Sequence, residues 1–141
     1  MPNNNKLNQW SLTILRIILG VIFTYHGYLK LFAPGGFTGT VGFFTAIKIP
    51  LPVFSALLVS VVEFAGGLLL LSGLLVRLAS AALIIEMLVA FFKVHIKQGF
   101  FISQQAYGYE FILLILASLI VVLVNGAGKY SVREIWKKRR E

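Results

Sequence analysis

The sequence predicts an all-α integral membrane protein, a four-helix bundle with a short interfacial helix in the first outer loop. Three observations predict this. Hydrophobic residues make up 58% of the 141 residues, more than the ~45–50% of soluble domains. The mean hydropathy is +0.87, and only 13% of the residues are charged. The apolar residues form four long runs, and because one bilayer span needs about 20 residues, they fill a single domain covering residues 1–141.

The first span is predicted at about residues 11–32. Trp10 precedes it, at the interface level where an amphipathic ring is favoured. Arg16 interrupts the apolar run near its start, and we interpret it as a topological anchor whose stem snorkels back to the near surface. Arg16 and the lack of a small-residue cleavage site favour a retained helix over a signal peptide.

The next segment is a loop with two proline-containing turns and a short helix between them. Val41, Phe44 and Ile47 fall on one side of residues 40–49, which predicts an interfacial helix rather than a span. Pro50 and Pro52 then mark the start of the second span, at about residues 53–75, since proline is tolerated in a first helical turn.

The second and third spans are predicted to form an antiparallel hairpin. A tight turn at residues 74–77 joins the second span to the third, at about residues 78–96. Gly66 and Gly73 lie near two turns apart, and with Ser60 and Ala56 they are predicted to form a small-residue seam; Gly67 is predicted to pack between helices as well.

The fourth span is predicted at about residues 110–124, followed by the basic tail 126–141. Lysine and arginine concentrate in both termini and in the turn after the second span. Since cytoplasmic segments carry the excess of Lys and Arg, both termini are predicted to be cytoplasmic. The net charge of +8 therefore indicates membrane topology rather than nucleic-acid binding.

All four spans carry ionisable groups, and most of these fall in the outer half. Such groups are costly in lipid, so they are expected to face the bundle interior. We therefore predict a polar pocket that opens outward and binds a ligand. Its predicted residues are His26, Lys30, Glu63, Glu86, Lys93, His95 and Glu110, with Tyr25, Tyr28, Tyr107 and Tyr109 as border candidates.

Each group also has a purely structural interpretation. His26 can hydrogen-bond a carbonyl of a neighbouring helix, and Lys30 and Lys93 can snorkel outward. Glu110 can be a first-turn residue favoured by the helix dipole. The mid-span acids Glu63 and Glu86 can form structural ion pairs or remain protonated.

Several kinds of chemistry are excluded or disfavoured. With no cysteine, the chain forms no disulfide, no thiol redox centre and no cysteine-ligated metal site. Neither a Glu-x-x-His pair nor a His-x-x-x-His pair is present, so no metal site is predicted. There is no phosphate-binding glycine loop or nucleophile triad, and catalytic residues stay unassigned.

Five motifs together carry a family resemblance. They are HGxxKLF at 26–32, EFAGGLLLLSG at 63–73 leading to Arg77, HxxxGFF at 95–101, GxE at 108–110 and GxGxYS at 126–131. In this order they span nearly the whole chain and resemble the DoxX family. The resemblance implies a four-helix protein of the bacterial cytoplasmic (inner) membrane. Relatives are associated with membrane oxidoreductase assemblies, with quinone or catechol resistance and with oxidative stress.

The leading hypothesis is a redox-associated membrane subunit that binds a quinone or phenolic compound in the outer-half pocket. It is at most an accessory or quinone-interacting subunit of an oxidoreductase, with quinone as the expected ligand and no covalently bound cofactor. Expected partners are the lipid bilayer and a membrane or peripheral protein, or a second copy of the chain, but no nucleic acid. The alternatives are a non-catalytic scaffold that uses the glycine seam and basic tail, or a small-solute transporter.

Overall fold

The computed structural model describes residues 4–103, 108–128 and 130–132, with side chains from residue 8 onward. Within these ranges the regular elements are all helical, so the predicted all-α class is confirmed. The predicted Tyr107 and the basic residues after 132 lie outside the described residues. The elements are α1 (Asn4–Phe32), α2 (Gly36–Ala46), α3 (Pro52–Ser72), α4 (Val76–Lys93), a 3₁₀ turn (His95–Gln98) and α5 (Glu110–Asn125).

The helices differ from the predicted elements mainly at their ends. α2 begins four residues before the predicted position, directly after Gly35, which has φ 74°. α3 ends at Ser72 because Gly73 has φ 75°, and Leu75 at φ 44° then turns the chain into α4. α4 ends at Lys93, three residues before the predicted end, and the chain tightens into the 3₁₀ turn.

Two of the helices are long and apolar enough to cross a membrane, by length and composition alone. They are α1, over Asn8–Phe32, and α3, over Pro52–Ser72. α5 is a shorter apolar helix of 16 residues, and α4 carries three charged residues among its 18. A bundle of four spans therefore stays a prediction.

Large apolar side chains cover the outside of the helices. Ile14 on α1 is 55% exposed, Phe54 on α3 61%, Ile85 on α4 65% and Leu114 on α5 63%. Scattered exposed leucines are normal on soluble proteins, but apolar surface on every long helix is expected for a bundle surrounded by lipid.

α1 and α3 pack against each other so closely that glycine is required at the contact. A Cβ added at Gly27 of α1 would lie 2.3 Å from the backbone nitrogen of Phe64 on α3. A Cβ at Gly67 of α3 would lie 2.4 Å from the backbone nitrogen of Thr24 on α1. Small residues at such contacts let helix backbones approach where no hydrophobic force drives association.

Ala56, Ser60 and Gly66 of the predicted seam are all buried on α3, and the three predicted packing glycines lie against three different neighbours. Gly67 faces α1, whereas Gly66 faces Leu83 of α4, at 3.3 Å from the position of an added Cβ. Gly73 lies beyond the end of α3 and contacts Ser131. Helical spacing therefore does not place it in line with Gly66. Each of the three glycines therefore packs against another part of the same chain.

The apolar core draws on all four long helices. Leu70 of α3, Leu83 of α4 and Leu119 of α5 are completely buried, and Phe23 of α1 is 2% exposed.

Arg16 does not snorkel to the surface: it is buried, with 1% exposure. Its Nη1 donates hydrogen bonds to the carbonyls of Leu70 and Leu71, the latter at 2.9 Å, and its Nη2 donates to the carbonyl of Tyr130 at 2.7 Å. The last carbonyls of a helix lack regular intrahelical donors: that of Leu70 accepts a long bond of 3.3 Å from the N–H of Gly73, and Arg16 supplies a donor to both Leu70 and Leu71. The guanidinium thus joins α1, the end of α3 and the segment after α5.

The segment after α5 is packed tightly around this arginine. A Cβ on Gly73 would lie 2.4 Å from Cβ of the buried Ser131, and one on Gly128 would lie 2.7 Å from Oγ1 of Thr13. The ring of Trp10 stacks on Tyr130 with centroids 4.5 Å apart. This end of the bundle is closed by direct contacts that tolerate little extra volume.

Candidate functional site

An ion pair between α1 and α3 forms the centre of the candidate site. Nζ of Lys30 lies 2.6 Å from Oε1 of Glu63 and donates a hydrogen bond to it. The Glu63 side chain is 5% exposed and the Lys30 side chain 26%. Charges this deep in an apolar bundle persist only when they are paired, so the pair connects α1 to α3 at the site.

Glu86 of α4 completes a three-residue cluster. Its carboxyl group lies close enough to Glu63 and Lys30 to interact with both electrostatically. Oε2 of Glu63 and Oε2 of Glu86 are both buried, and neither accepts a hydrogen bond from the described residues. The cluster therefore contains one cation and two carboxyl groups, with two acceptor atoms left over.

Local helix geometry explains how three helices meet here. Lys30 lies in the last turn of α1, one turn beyond Gly27, where α1 touches Phe64 of α3. On α3, Glu63 follows the buried Ser60 by three residues and precedes the buried Gly67 by four. These spacings place all three on the face that turns inward.

Two of the predicted pocket residues, His26 and Lys93, are exposed. His26 shares a helix face with Lys30 by spacing, but the longer lysine side chain is the one that reaches Glu63. Of the seven predicted residues the structure brings together Lys30, Glu63 and Glu86, and a pocket lined by all seven stays a prediction.

The residues predicted near the outer loop have local roles instead. Glu110 accepts a hydrogen bond from the backbone N–H of Ile102 at 2.8 Å, which closes the loop before α5. Tyr109 packs edge-on against Phe91 and Phe100, with centroids 5.5 and 5.4 Å apart. His95 is half-buried in the 3₁₀ turn after α4.

Tyr25 and Tyr28 lie on the outside of the helix pair. Both are exposed, and with Thr24 and Phe64 they line a shallow apolar groove of about 280 Å³ between α1 and α3. A second apolar groove, of about 180 Å³, lies between α3 and α4 and includes Gly66. Neither groove is lined by Lys30, Glu63 or Glu86.

Arg16 has a role that was not predicted from the sequence, namely hydrogen bonding to backbone carbonyls of other segments. Its position within the first apolar run indicated an unusual arginine, but that position is equally consistent with an anchor that snorkels to the surface. Its acceptors lie 54, 55 and 114 residues away in sequence. These acceptors can therefore be identified only from the tertiary structure.

Comparison with known proteins places this architecture in a family. The family model named DoxX matches residues 11–96. The chain belongs to the DoxX family. The match extends from α1 to the 3₁₀ turn, so Arg16, Lys30, Glu63 and Glu86 all lie within the DoxX region, whereas Tyr109 and Glu110 lie after it.

Relatives from three bacteria cover most of this DoxX protein. "Putative oxidoreductase CatD" of Bacillus subtilis is 31% identical over 86% of this chain and 84% of its own length. An "Uncharacterized protein" of Haemophilus influenzae is 32% identical over 91% and 92%. "Uncharacterized membrane protein Rv3486" of Mycobacterium tuberculosis is 31% identical over 92% and 83%. No solved structure matches the chain significantly.

The family and these names establish a coarse assignment. The protein is a DoxX family membrane protein, and one of its relatives carries an oxidoreductase name. Association with a lipid bilayer follows from the family and agrees with the apolar exterior of the helices.

Proposed function

We propose that this DoxX protein is a subunit of an oxidoreductase assembly in the bacterial cytoplasmic membrane. In this proposal the four long helices cross the bilayer and both termini are cytoplasmic. A quinone or phenolic compound binds at the cluster of Lys30, Glu63 and Glu86. The protein is an accessory or quinone-interacting subunit, with its redox partner in a second protein.

The observation that carries the proposal is the buried cluster itself. A bundle held together only by packing has no need of a lysine and two carboxyl groups among its helices, and replacing such groups with apolar residues is often stabilising. Ionisable groups inside membrane segments mark functional sites by default. Here a proton donor and two proton acceptors lie together, which suits a ligand that gains and loses protons.

The proposal includes a partner protein because the chain has no cysteine to carry or ligate a redox centre. The sequence has no cysteine, and cysteine thiols are the side chains that ordinarily carry or ligate redox centres in such assemblies. Lys30, Glu63 and Glu86 can bind, orient and exchange protons with a ligand. Electrons must pass between the ligand and another protein, and the oxidoreductase name of the Bacillus subtilis relative favours such an assembly.

Binding to the purified full-length chain in lipid nanodiscs tests the proposal. A water-soluble benzoquinone and the matching hydroquinone are titrated while tryptophan fluorescence or heat is recorded. The wild-type chain is expected to bind at least one form, and Lys30→Met and Glu63→Gln to weaken binding at least about tenfold, which is ~1.4 kcal/mol. Lys97→Gln, an exposed position outside the cluster, serves as the matched control.

The proposal is wrong if neither form binds to wild-type protein that elutes as a single folded species. It is equally wrong if both cluster variants bind as tightly as Lys97→Gln. A growth assay in the presence of a toxic quinone gives a second readout, since a functional site predicts that the cluster variants change quinone tolerance and the control does not.

A further inference from the structure

The cluster of Lys30, Glu63 and Glu86 contains more acidic groups than cations. Nζ of Lys30 lies 2.6 Å from Oε1 of Glu63, so the charges of these two residues cancel. Glu86 forms no salt bridge with any cation of the described residues. If both carboxyl groups were ionised, the cluster would carry one uncompensated negative charge among apolar helices, and such a charge is costly to bury.

The other basic groups of α1 and α4 are not placed to balance this charge. His26 and Lys93 are exposed, and Lys93 lies two turns beyond Glu86, or about 10 Å along the helix axis. Arg16 and Arg77 belong to the opposite end of the bundle, where they donate to backbone carbonyls. None of these four residues neutralises Glu86.

The remaining described elements add no closer cation. α2 has no ionisable side chain, and the ionisable residue of α3 is Glu63 itself. In α5 the ionisable residue is Glu110, which accepts a hydrogen bond from the backbone N–H of Ile102. His95 and Lys97 lie in the 3₁₀ turn beyond the end of α4. A proton on one of the two carboxyl groups is therefore what makes the cluster neutral.

The two carboxyl groups differ, and the difference decides which of them holds the proton. Glu63 is 4% exposed and accepts the hydrogen bond of Lys30, and an adjacent cation favours the ionised form of a carboxyl group. Glu86 lacks such a partner and lies beside the ionised Glu63, which disfavours a second negative charge. Glu86 is also less deeply buried than Glu63, so water or a ligand reaches it more readily.

We propose that Glu86 is the proton-exchanging residue of the cluster. Its carboxyl group is protonated at rest, while Lys30 and Glu63 keep their charges as a pair. When Glu86 passes its proton to a ligand or to water it becomes a carboxylate, and the cluster gains one negative charge. This assignment deepens the proposed function and rests on it only for the ligand that takes up or supplies the proton.

Infrared spectroscopy of the purified full-length chain tests the assignment without a ligand. The chain is held in dodecyl maltoside, a detergent without carbonyl groups, and the C=O stretch of protonated carboxyl groups is recorded. The chain has five acidic side chains, all glutamates, so few groups can contribute. At neutral pH the wild-type chain is expected to show the band of one protonated carboxyl group, and this band is expected to shift in D₂O because the proton exchanges.

Four variants assign the band to a residue. Glu86→Gln is expected to abolish it, and Glu86→Asp to keep it at a different frequency. Lys30→Met is expected to increase the band about twofold, since Glu63 then loses its cation and takes up a proton as well. Glu110→Gln is the control and is expected to leave the band unchanged. The amide bands of the same spectra report whether each variant is folded.

The outcomes separate this assignment from the proposed function. It is overturned if the wild-type chain shows no such band, if the band does not exchange in D₂O, or if it persists in folded Glu86→Gln. Should Glu86→Gln not fold, a band that keeps its frequency in Glu86→Asp overturns the assignment instead. All these results leave the proposed function in place, because quinone and hydroquinone binding is measured independently. A chain that binds neither compound but shows the Glu86 band refutes the proposed function alone.

Discussion

α1 carries two buried cations, Arg16 and Lys30, and their surroundings are opposite in kind. They lie fourteen residues apart, or about 21 Å along the helix. Arg16 is 1% exposed and its terminal nitrogens donate to three backbone carbonyls. Lys30 is partly exposed and pairs with the carboxylate of Glu63, with Glu86 nearby.

The contrast separates a structural charge from a site. At the Arg16 end the acceptors are backbone atoms fixed by the helices, and Gly73 and Gly128 bring the chain close enough to close the space around them. The carbonyls there need a donor whether or not a ligand is present. At the Lys30 end the neighbours are ionisable carboxyl side chains, and Oε2 of each glutamate has no hydrogen-bond partner among the described residues. Nε of Arg16 is likewise buried without such a partner, so the two ends differ in the chemistry of their acceptors, backbone carbonyls against carboxyl groups, rather than in unmet hydrogen bonds.

Removing the structural cation should have the largest effect. Arg16→Met removes the guanidinium donors to the carbonyls of Leu70, Leu71 and Tyr130, and we expect a loss of about 2–4 kcal/mol in the free energy of unfolding. Denaturant unfolding of the purified chain in mild detergent measures it. Arg77→Met is the control, since Arg77 is exposed and donates a long hydrogen bond of 3.3 Å to the carbonyl of Val124. Equal losses in the two variants would contradict the structural role of Arg16.

The contact between Gly27 of α1 and Phe64 of α3, which lies one turn from Lys30, can be disrupted without changing a charged residue. Gly27→Ala places a methyl group 2.3 Å from the backbone nitrogen of Phe64, so α1 and α3 must move apart. Overpacking of this kind costs about 1–3 kcal/mol. The same unfolding assay is expected to show the loss, together with weaker ligand binding.

The control for this helix contact is Gly42→Ala. Gly42 lies in α2 with nothing within 4 Å of an added Cβ, and alanine is the better helix former, so stability should hold or rise slightly. If Gly27→Ala is as stable as this control, the close approach of α1 and α3 is not what positions Lys30.

The ion pair itself should show the smallest effect on stability and the largest on binding. Lys30→Met leaves Glu63 buried without its cation; removing one partner of a fully buried pair costs about 3–5 kcal/mol, and because the Lys30 side chain is 26% exposed we expect a smaller loss of about 1–2 kcal/mol. Adding Glu63→Gln in the same chain should recover most of it, since the uncompensated charge is gone. Ligand binding should be weakened in both single variants and the double variant alike.

This double-variant cycle separates pairing from function. Recovery of stability without recovery of binding is expected when the pair serves a ligand. Recovery of both would mean that Lys30 and Glu63 act like Arg16, as structural groups only.

Residue types alone were enough to single out the members of the cluster. Lys30, Glu63 and Glu86 stand out because each interrupts an apolar run, and the structure brings the three together. His26 was grouped with them because it shares a helix face with Lys30, yet it is exposed. The four-residue spacing predicts that His26 and Lys30 share one face of α1. Which of the two reaches Glu63 depends on side-chain length and on the position of α3.

The glycines show the same limit. Their abundance in the second apolar run predicted close packing, and close packing is present at Gly67 and Gly73. The partner of each glycine was not predictable, because it depends on where the helix ends and which neighbour lies opposite. Gly73 has φ 75° and has already left the helical path, so its helical phase carries no information about its contact.

The sequence by itself determined that the chain is helical and apolar outside, and that a few charges must be buried, because these follow from hydropathy and from the cost of charge in an apolar medium. Only the tertiary structure decided that Arg16 pairs with backbone carbonyls and Lys30 with the carboxylate of Glu63. Those partners come from segments far apart in sequence, and a few ångströms of helix approach decide which of them each cation reaches.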